Sequence, residues 1–303
     1  MSHQNIHDFF RIGDFFFELS YPTELTVPPH FRLFQVSTSE GLSHADYCYT
    51  ITCAPQLPQL DWPVTARRED LCVMRSPVSR DDPAAALEGR LIGVKGTPGY
   101  YASYREHSGQ EAEITLLQDR LGSLNFDPVF TSLLALEKRM LQQNSLILHC
   151  SHLQYQGQGI LFSGPSGIGK STQARLWETY RGAKTLNGDR ALLRLIHGKW
   201  FACGWPVCGS SEICHTGDSP IHAVVILQQG KENHIRKLSP LQAFTQLYSQ
   251  ITLNGWDYEA VQHGTELLEK FITSVPVYQL TCTISEDAVF CLENVIFPPQ
   301  NAE

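Results

Sequence analysis

The second half of the chain alternates two hydrophobic rhythms. Ser145–His149 and Gly159–Ser163 are short apolar runs around the polar turn Gln156-Gly157-Gln158, the pattern of two strands joined by a tight connection. Ala183–Leu186, Ala191–Ile196, Trp200–Ala202, His222–Leu227 and Val277–Thr281 repeat the strand pattern, with His197-Gly198 as a hairpin turn. Helical spacing marks Ser171–Tyr180, Leu238–Leu253, Tyr258–Ser274 and Glu286–Val295. Strands interleaved with helices predict an α/β domain.

The first 125 residues differ. They offer short strands at Phe15–Leu19, Phe31–Val36, Tyr47–Cys53, Leu91–Val94, Tyr100–Tyr104 and Glu111–Leu117. Turn formers separate them: Pro22, Pro28-Pro29, Pro55, Pro58, Asp81-Asp82-Pro83 and the stretch from Gly96 to Gly99. A helix is expected over Pro128–Gln143, with Asp127 as N-cap, Pro128 at its first position, and Val129, Leu133, Leu136, Met140 and Leu141 as its apolar face. The expected organisation is therefore a strand-rich α+β domain over 1–144, an α/β domain over 145–297 and a short tail over 298–303.

Between the strand Gly159–Ser163 and the helix that follows lies Gly164-Pro165-Ser166-Gly167-Ile168-Gly169-Lys170-Ser171-Thr172, which fits G-x-x-x-x-G-K-[ST]. Glycines let the backbone curl so that its N–H groups converge on phosphate oxygens, and the helix start adds a positive end. Lys170 is then the charge partner of the outer phosphates and the Ser171 hydroxyl a Mg²⁺ ligand. A carboxylate is needed to complete the ion's shell. Asp189, in Asn187-Gly188-Asp189-Arg190 after the next strand, is the candidate, although a turn aspartate alone explains it too. Upstream, Leu148-His149-Cys150-Ser151-His152 ends a strand expected to lie beside the loop. Taken alone, His149 reads first as a satisfied half-buried histidine rather than a functional one.

Composition narrows the classes. Asp and Glu total 31 against 23 Lys and Arg, a formal charge of −8, which disfavours nucleic acid and anionic membranes as partners. With 42% hydrophobic and 18% charged residues the chain is a globular rather than a disordered one. Apolar runs such as Ala223–Leu227 fall far short of the roughly 18 residues of a membrane span. His3, His7, Asp8, Arg11 and Asp14 break up any secretory segment at the start. Nine cysteines without a CxxC pair suit a reducing cytoplasm, the expected location. Cys203, Cys208, Cys214 and His215 cluster loosely, with spacing more like a loop of half-buried thiols than a zinc site.

The loop, His149 and Asp189 together resemble one group: HPr kinase/phosphorylase and ATP-dependent phosphoenolpyruvate carboxykinase. HPr kinases carry a histidine fifteen positions before the first loop glycine, as His149 stands before Gly164 (164 − 149 = 15), and carboxykinases carry His-Cys-Ser, as in His149-Cys150-Ser151. Trp177, Asn187-Gly188-Asp189-Arg190, Trp205-Pro206, Gly209-Ser210-Ser211 and Val275-Pro276-Val277-Tyr278 are similar to HPr-kinase-related proteins of gut Firmicutes. The resemblance implies a P-loop domain of the HPr kinase/phosphoenolpyruvate carboxykinase type. It also implies an ATP- and Mg²⁺-dependent phosphotransferase acting on a serine-type hydroxyl of an unidentified small molecule, peptide or protein, with self-association left open. It places the triphosphate on Gly164 to Thr172, Mg²⁺ on Ser171 and Asp189, and catalysis on Lys170, Asp189 and His149. His149 then orients the acceptor or ligates a second metal. Both families end the following strand in Asp-Asp; here the pair is Gly188-Asp189, so one carboxylate remains. Glu212 is a candidate third acid, and Arg236 is either a phosphate contact or a solvated surface charge. Alternatives are a non-catalytic nucleotide-binding regulatory module and a carboxykinase-like lyase.

Overall fold

A computed structural model of the chain describes residues 5–37, 45–77, 86–124 and 127–298. The turn expected at Asp81-Asp82-Pro83 and the tail beyond 298 lie outside the described residues. The chain divides into two units, 1–136 and 137–303.

The first unit is built on a mixed nine-stranded sheet. Its strands are β1 (Asn5–Ile12), β2 (Phe15–Pro22), β3 (Gln35–Val36), β4 (Tyr47–Ala54), β5 (Val64–Arg67), β6 (Leu71–Arg75), β7 (Glu88–Val94), β8 (Thr97–Ser108) and β9 (Glu111–Leu117). They run in the order β3-β1-β2-β4-β9-β8-β7-β6-β5. β2–β4 and β4–β9 are parallel pairs and the other pairs are antiparallel. An aromatic cluster fills one face: the Phe31 ring lies 4.8 Å from Phe130 and 5.2 Å from Phe10, centroid to centroid.

The stretch Phe31–Val36, expected as a strand, instead opens with helix α1 (Pro29–Arg32) and keeps only the two residues of β3. Pro29 sits at the start of α1, where its missing N–H is no loss. Asp127 then settles the matter from far along the chain. Its Oδ1 accepts the Phe31 N–H at 3.1 Å and its Oδ2 pairs with His30 Nδ1 at 2.9 Å. The carboxylate expected to cap its own helix is spent on α1. The single helix expected over Pro128–Gln143 is likewise two: α2 (Asp127–Leu133) and α3 (Leu136–Gln142), broken at Ala135 with φ 50°. Phe130 of α2 packs in the first unit, whereas Leu141 of α3 packs in the second, so the break lets one apolar stripe serve two cores.

The second unit holds β10 (Leu146–Tyr155), β11 (Gln158–Ser163), α4 (Lys170–Arg181), β12 (Lys184–Asn187), β13 (Arg190–Ile196) and β14 (Lys199–Cys203). β15 (Ser219–Gln229), β16 (His234–Lys237), α5 (Pro240–Tyr248), α6 (Tyr258–Ser274), β17 (Val277–Cys282) and α7 (Glu286–Ile296) follow. β11, β15 and β17 pair in parallel, and β16 closes that edge antiparallel to β17. β10 runs antiparallel to β11 on one side. Along its other side β13 and β12 lie end to end, interrupted by Gly188-Asp189.

The parallel strands read as continuous apolar runs because both faces are covered. Leu161, Val224 and Ile226 pack with Ala243, Leu247, Leu268 and Phe271 of α5 and α6. Their neighbours Ile160, Phe162, Ala223 and Val225 pack with Ala174 and Trp177 of α4 and Val289 and Leu292 of α7. The result is a sheet between two helical layers. Among the described residues no helix is long and apolar enough to cross a membrane.

One buried polar contact in this core has a measurable consequence. His152 is fully buried and its Nε2 meets Ser219 Oγ at 2.7 Å. Gly159 leaves room for that pair, since a Cβ there would stand 2.7 Å from Ser219 Oγ. Burial depresses the His152 pKa from 6.5 to about 3. Above pH 6.5 the ring is neutral in both folded and unfolded chains. Between pH 6.5 and about 3 the unfolded chain binds a proton that the folded one refuses, so stability falls on acidification through that window. The limiting slope is about 1.4 kcal/mol per pH unit. In thermal melts against pH, His152→Gln, which does not titrate, should flatten the acid limb of the wild-type curve. Parallel curves for the two proteins would show that His152 is protonated without cost.

Candidate functional site

The glycine-rich segment connects β11 to α4 as a curled loop. Gly164, Gly167 and Gly169 have φ values of 140°, 77° and 116°, a region where a side chain is strained, so the curl depends on glycine at these positions. Gly169 occupies the N-cap position of α4 without a side chain to cap it. The first-turn N–H groups and the positive end of the helix dipole therefore lack a side-chain acceptor from the cap. Pro165, Ser166 and Gly167 are exposed, Ile168 and Gly169 half-buried. Ser171 is exposed and Thr172 half-buried at the start of α4.

Lys170 is only 7% exposed. Its Nζ donates to Gly164 O at 3.0 Å and Pro165 O at 3.2 Å, so the ammonium rests on the loop's own carbonyls. Burial lowers its pKa, and the negative charge of Asp189 works in the opposite direction. That interaction places Asp189 within electrostatic reach of the loop lysine.

The hairpin β10–β11 brings His149 to the same place. It turns at Gln156 and Gly157, with φ 50° and 73°, and pairs Cys150 with Ser163. His149 thus falls level with Gly164, one step past the last pair, and Ser163 Oγ donates to its carbonyl at 2.8 Å. The His149 ring is partly exposed and bridges two partners: Nδ1 meets Gln250 Oε1 at 3.2 Å and Nε2 faces Asp189 Oδ1 at 3.4 Å.

Asp189 owes its position to Asn187, which is fully buried. The Asn187 Oδ1 accepts the Asp189 and Arg190 N–H groups, both at 2.9 Å, and its Nδ2 donates to Trp205 O and Val207 O. Asp189 Oδ2 accepts from Arg190 Nε at 3.2 Å, and Arg190 Nη1 reaches Thr252 Oγ1 at 3.2 Å. Burial raises the Asp189 pKa, but the His149 ring and the Arg190 guanidinium outweigh it, and the carboxyl lies below the ordinary carboxylate value. Gly209 keeps this carboxylate in place without a clash: a Cβ there would stand 3.0 Å from Asp189 Cβ. Gly188 has a harder constraint. A Cβ at that position would lie 2.0 Å from Ser211 Oγ, so a second acid has no space unless Ser211 moves.

Arg236 stands apart from this cluster, whereas Glu212 directly follows Ser211, whose side chain lies against Gly188. Glu212 is exposed, with φ 54°, at the end of the short 3-10 turn Gly209–Ser211. Arg236 lies on β16, three strands from β11, which at ~4.8 Å per strand is about 14 Å. Its guanidinium is bonded to Gln242 and Gln279. Cys203, Cys208 and Cys214 are buried and not in disulfides, and burial pushes the Cys203 thiol up to about 12. His215 is exposed. Among the described residues no three His, Cys, Asp or Glu side chains converge to hold a metal ion. Gln250 and Thr252, which complete the cluster, carried no sequence signal. They fall inside the segment Leu238–Leu253 expected to be one helix, but α5 stops at Tyr248. A turn at Ser249 and Gln250 follows, and Ile251 then forms an antiparallel bridge with Leu148.

The molecule is thus a two-unit protein whose second unit is a layered α/β domain. In it a glycine-rich loop with a buried lysine lies at the strand-to-helix junction beside a His–Asp–Arg cluster. The chain belongs to the family described as SynChlorMet cassette protein ScmC, whose family model matches residues 123–296. No curated protein matches the sequence. Among solved structures the chain is similar to the HPr(Ser) kinase/phosphatase from Coxiella burnetii, at 11% identity and a TM-score of 0.31, over 50% of this chain and 87% of that one.

Proposed function

We propose that the second unit binds ATP at Gly164–Thr172 and transfers its terminal phosphoryl group to a hydroxyl acceptor, of the serine type by the sequence resemblance to HPr kinases. One observation carries the reading: the motif lysine is buried beneath the glycine-rich loop, in electrostatic reach of Asp189, which itself faces His149 at 3.4 Å. The residues fit a nucleotide. Three glycines with positive φ and an uncapped helix start offer N–H donors to an anion. Lys170 Nζ, held by two carbonyls that are weaker partners than phosphate oxygens, is free to exchange them. They also fit Mg²⁺, which commonly takes one or two protein ligands and completes its shell with phosphate oxygens and water. Ser171 Oγ and Asp189 would hold that ion, which when bound offsets charge on the outer phosphates.

The chain's own residues then divide the work. The loop fixes the donor, and Lys170 draws negative charge toward the transferred group. His149 receives the acceptor's proton at Nε2, and Asp189 Oδ1 stabilises the imidazolium that results. Gln250 and Arg190 hold the two side chains in place. None of the nine cysteines, all among the described residues, is in a disulfide, which suits the cytoplasm as the working compartment. One observation favours a second reading, a nucleotide-binding regulatory module: the absence of room for an acid at Gly188.

The test is transfer from γ-labelled ATP with Mg²⁺ to serine-containing peptides, small hydroxyl compounds and cell extract. Label on an acceptor supports the kinase. Saturable ATP binding without label on any acceptor supports the regulatory module, and absence of ATP binding overturns both.

A further inference from the structure

We propose that the cavity between α3 and the start of α6 is a subsite for an organic ammonium group, carried by the compound that receives the phosphoryl group. The acceptor role rests on the function proposed above; ammonium binding itself does not.

The cavity has a volume of about 220 Å³ and lies wholly within the second unit. The connection between α5 and α6 builds one wall. The Asn254 carbonyl accepts the Asp257 N–H at 2.9 Å, and Asp257 Oδ1 then caps α6 by accepting the Ala260 N–H at 3.1 Å. Leu253 packs onto α6 at Gly264, where a Cβ would stand 2.4 Å from Leu253 Cδ2. Asn254 Nδ2 donates to Glu137 Oε1 at 3.2 Å, which ties the connection to α3. Sites for drug-sized ligands run to about 300–1,000 Å³, so this one suits a small molecule or a single side chain.

Three unspent groups on its walls point to the ligand. Asn254 lines the cavity and is only 9% exposed. An ionised carboxylate only accepts, so the amine end of its amide is the end at Glu137. Oδ1 is left without a hydrogen bond among the described residues, and a buried acceptor of this kind gains from a donor that a ligand brings. Glu259 and His263 lie four residues apart on one face of α6, both on the cavity wall. Neither side chain has a hydrogen bond or ion pair among the described residues. A carbonyl oxygen, a carboxylate and the acceptor nitrogen of a neutral imidazole all call for donors. Lys138, the lysine on the same wall, is engaged within the protein. Counting Glu137 and Asp257, three carboxylates line the cavity against that one lysine, so the walls favour a cation over an anion. An ammonium group supplies the charge and three donors together. Leu141, Leu253 and Ala260 give its carbon chain an apolar surface.

Thr252 connects the cavity to the chemistry. It lines the cavity, and its Oγ1 accepts Arg190 Nη1 at 3.2 Å. Arg190 Nε in turn donates to Asp189 Oδ2 at 3.2 Å, and Asp189 Oδ1 faces His149 at 3.4 Å. One guanidinium therefore separates the cavity wall from the His149–Asp189 pair. An acceptor anchored by its ammonium at Asn254 and Glu259 starts that far from the group that takes its hydroxyl proton.

The experiment titrates the full chain in neutral buffer with ethanolamine and with a doubly blocked Lys-Ser dipeptide, each beside its N-acetylated form, which keeps the hydroxyl and loses the charge. The ammonium form should bind about tenfold or more tightly than the acetylated one. Tighter binding of ethanolamine assigns the ammonium to a free amino alcohol, and tighter binding of the dipeptide assigns it to a peptide side chain. Glu259→Gln keeps the shape, removes one charge and should cut the preference about tenfold, the worth of one charge-assisted hydrogen bond. Ala260→Leu fills the cavity from a helical position that leucine suits, and should abolish binding while the thermal midpoint stays at the wild-type value. If that variant folds poorly, Glu259→Gln, at an exposed position, decides alone. Equal binding of charged and acetylated forms, no binding of either ammonium compound, or a preference unchanged in the folded variants overturns the proposal. Ammonium binding at this cavity in a protein that transfers no phosphate leaves the subsite standing and removes the kinase reading alone. Phosphoryl transfer by a chain without ammonium preference does the reverse.

Discussion

Lys170→Ala should weaken Mg·ATP binding by about a hundredfold, the loss of one or two hydrogen bonds to a charged group at roughly 1.5–3 kcal/mol each. The expectation rests on where the ammonium is. It is buried under the loop and holds only Gly164 O and Pro165 O, two carbonyls that form part of the loop itself. A nucleotide on the loop offers charged oxygens at the same place, and Lys170 is the single cation within the Gly164–Thr172 segment. The substitution is also a fair one. Burial already disfavours the charged Lys170, so removing it takes away a desolvation cost along with two neutral-acceptor hydrogen bonds. The variant should therefore fold, which circular dichroism checks beside the calorimetric titration with ATP. A folded Lys170→Ala protein with wild-type affinity would mean that the loop does not hold a triphosphate.

His149→Ala should leave ATP affinity within about twofold and lower phosphoryl transfer by roughly a hundredfold or more, the usual effect of losing a general base. The ring is turned to Gln250 and Asp189 rather than to the loop; the His149 backbone carbonyl, which alanine retains, is what Ser163 bonds. Binding and chemistry are therefore separable at this position. Few substitutes for the base are available. Asp189 has a lowered pKa and two cationic or ring partners, which makes its carboxylate a weak proton acceptor, and Gly188 has no space for a second acid against Ser211. Single-turnover transfer measured at saturating ATP separates the two effects. Transfer at the wild-type rate would remove His149 from the chemistry and leave it a structural histidine.

Much of this site is legible in the amino-acid sequence, and the reason is locality. Glycines at 164, 167 and 169, followed at once by Lys170 and a helical pattern, describe a loop whose shape depends on backbone freedom within a few residues. The β10–β11 hairpin is equally readable. A polar Gln156-Gly157 turn between two apolar runs sets the register, and register alone carries His149 level with Gly164. The helices Tyr258–Ser274 and Glu286–Ile296 start after Asp257 and Ser285, side chains that cap the first turn from the adjacent position.

The misreadings share the opposite property. Leu238–Leu253 has helical spacing throughout, yet α5 ends at Tyr248, because Ile251 gains more from a bridge to Leu148 and burial in the core than from one more helical turn. That exchange, invisible in the pattern, is what delivers Gln250 to His149 across 101 residues. Phe31–Val36 has the look of a strand, but Asp127, 96 residues on, accepts the Phe31 N–H and α1 forms instead. By itself, then, the sequence determined the loop, the hairpin and the α/β layering, since each follows from contacts a few residues apart or from a repeating face. Only the tertiary structure decided which side chains surround His149 and Asp189. Those contacts join β10, the β12–β13 turn and the segment after α5, and long-range pairs of this kind leave no periodic trace along one chain.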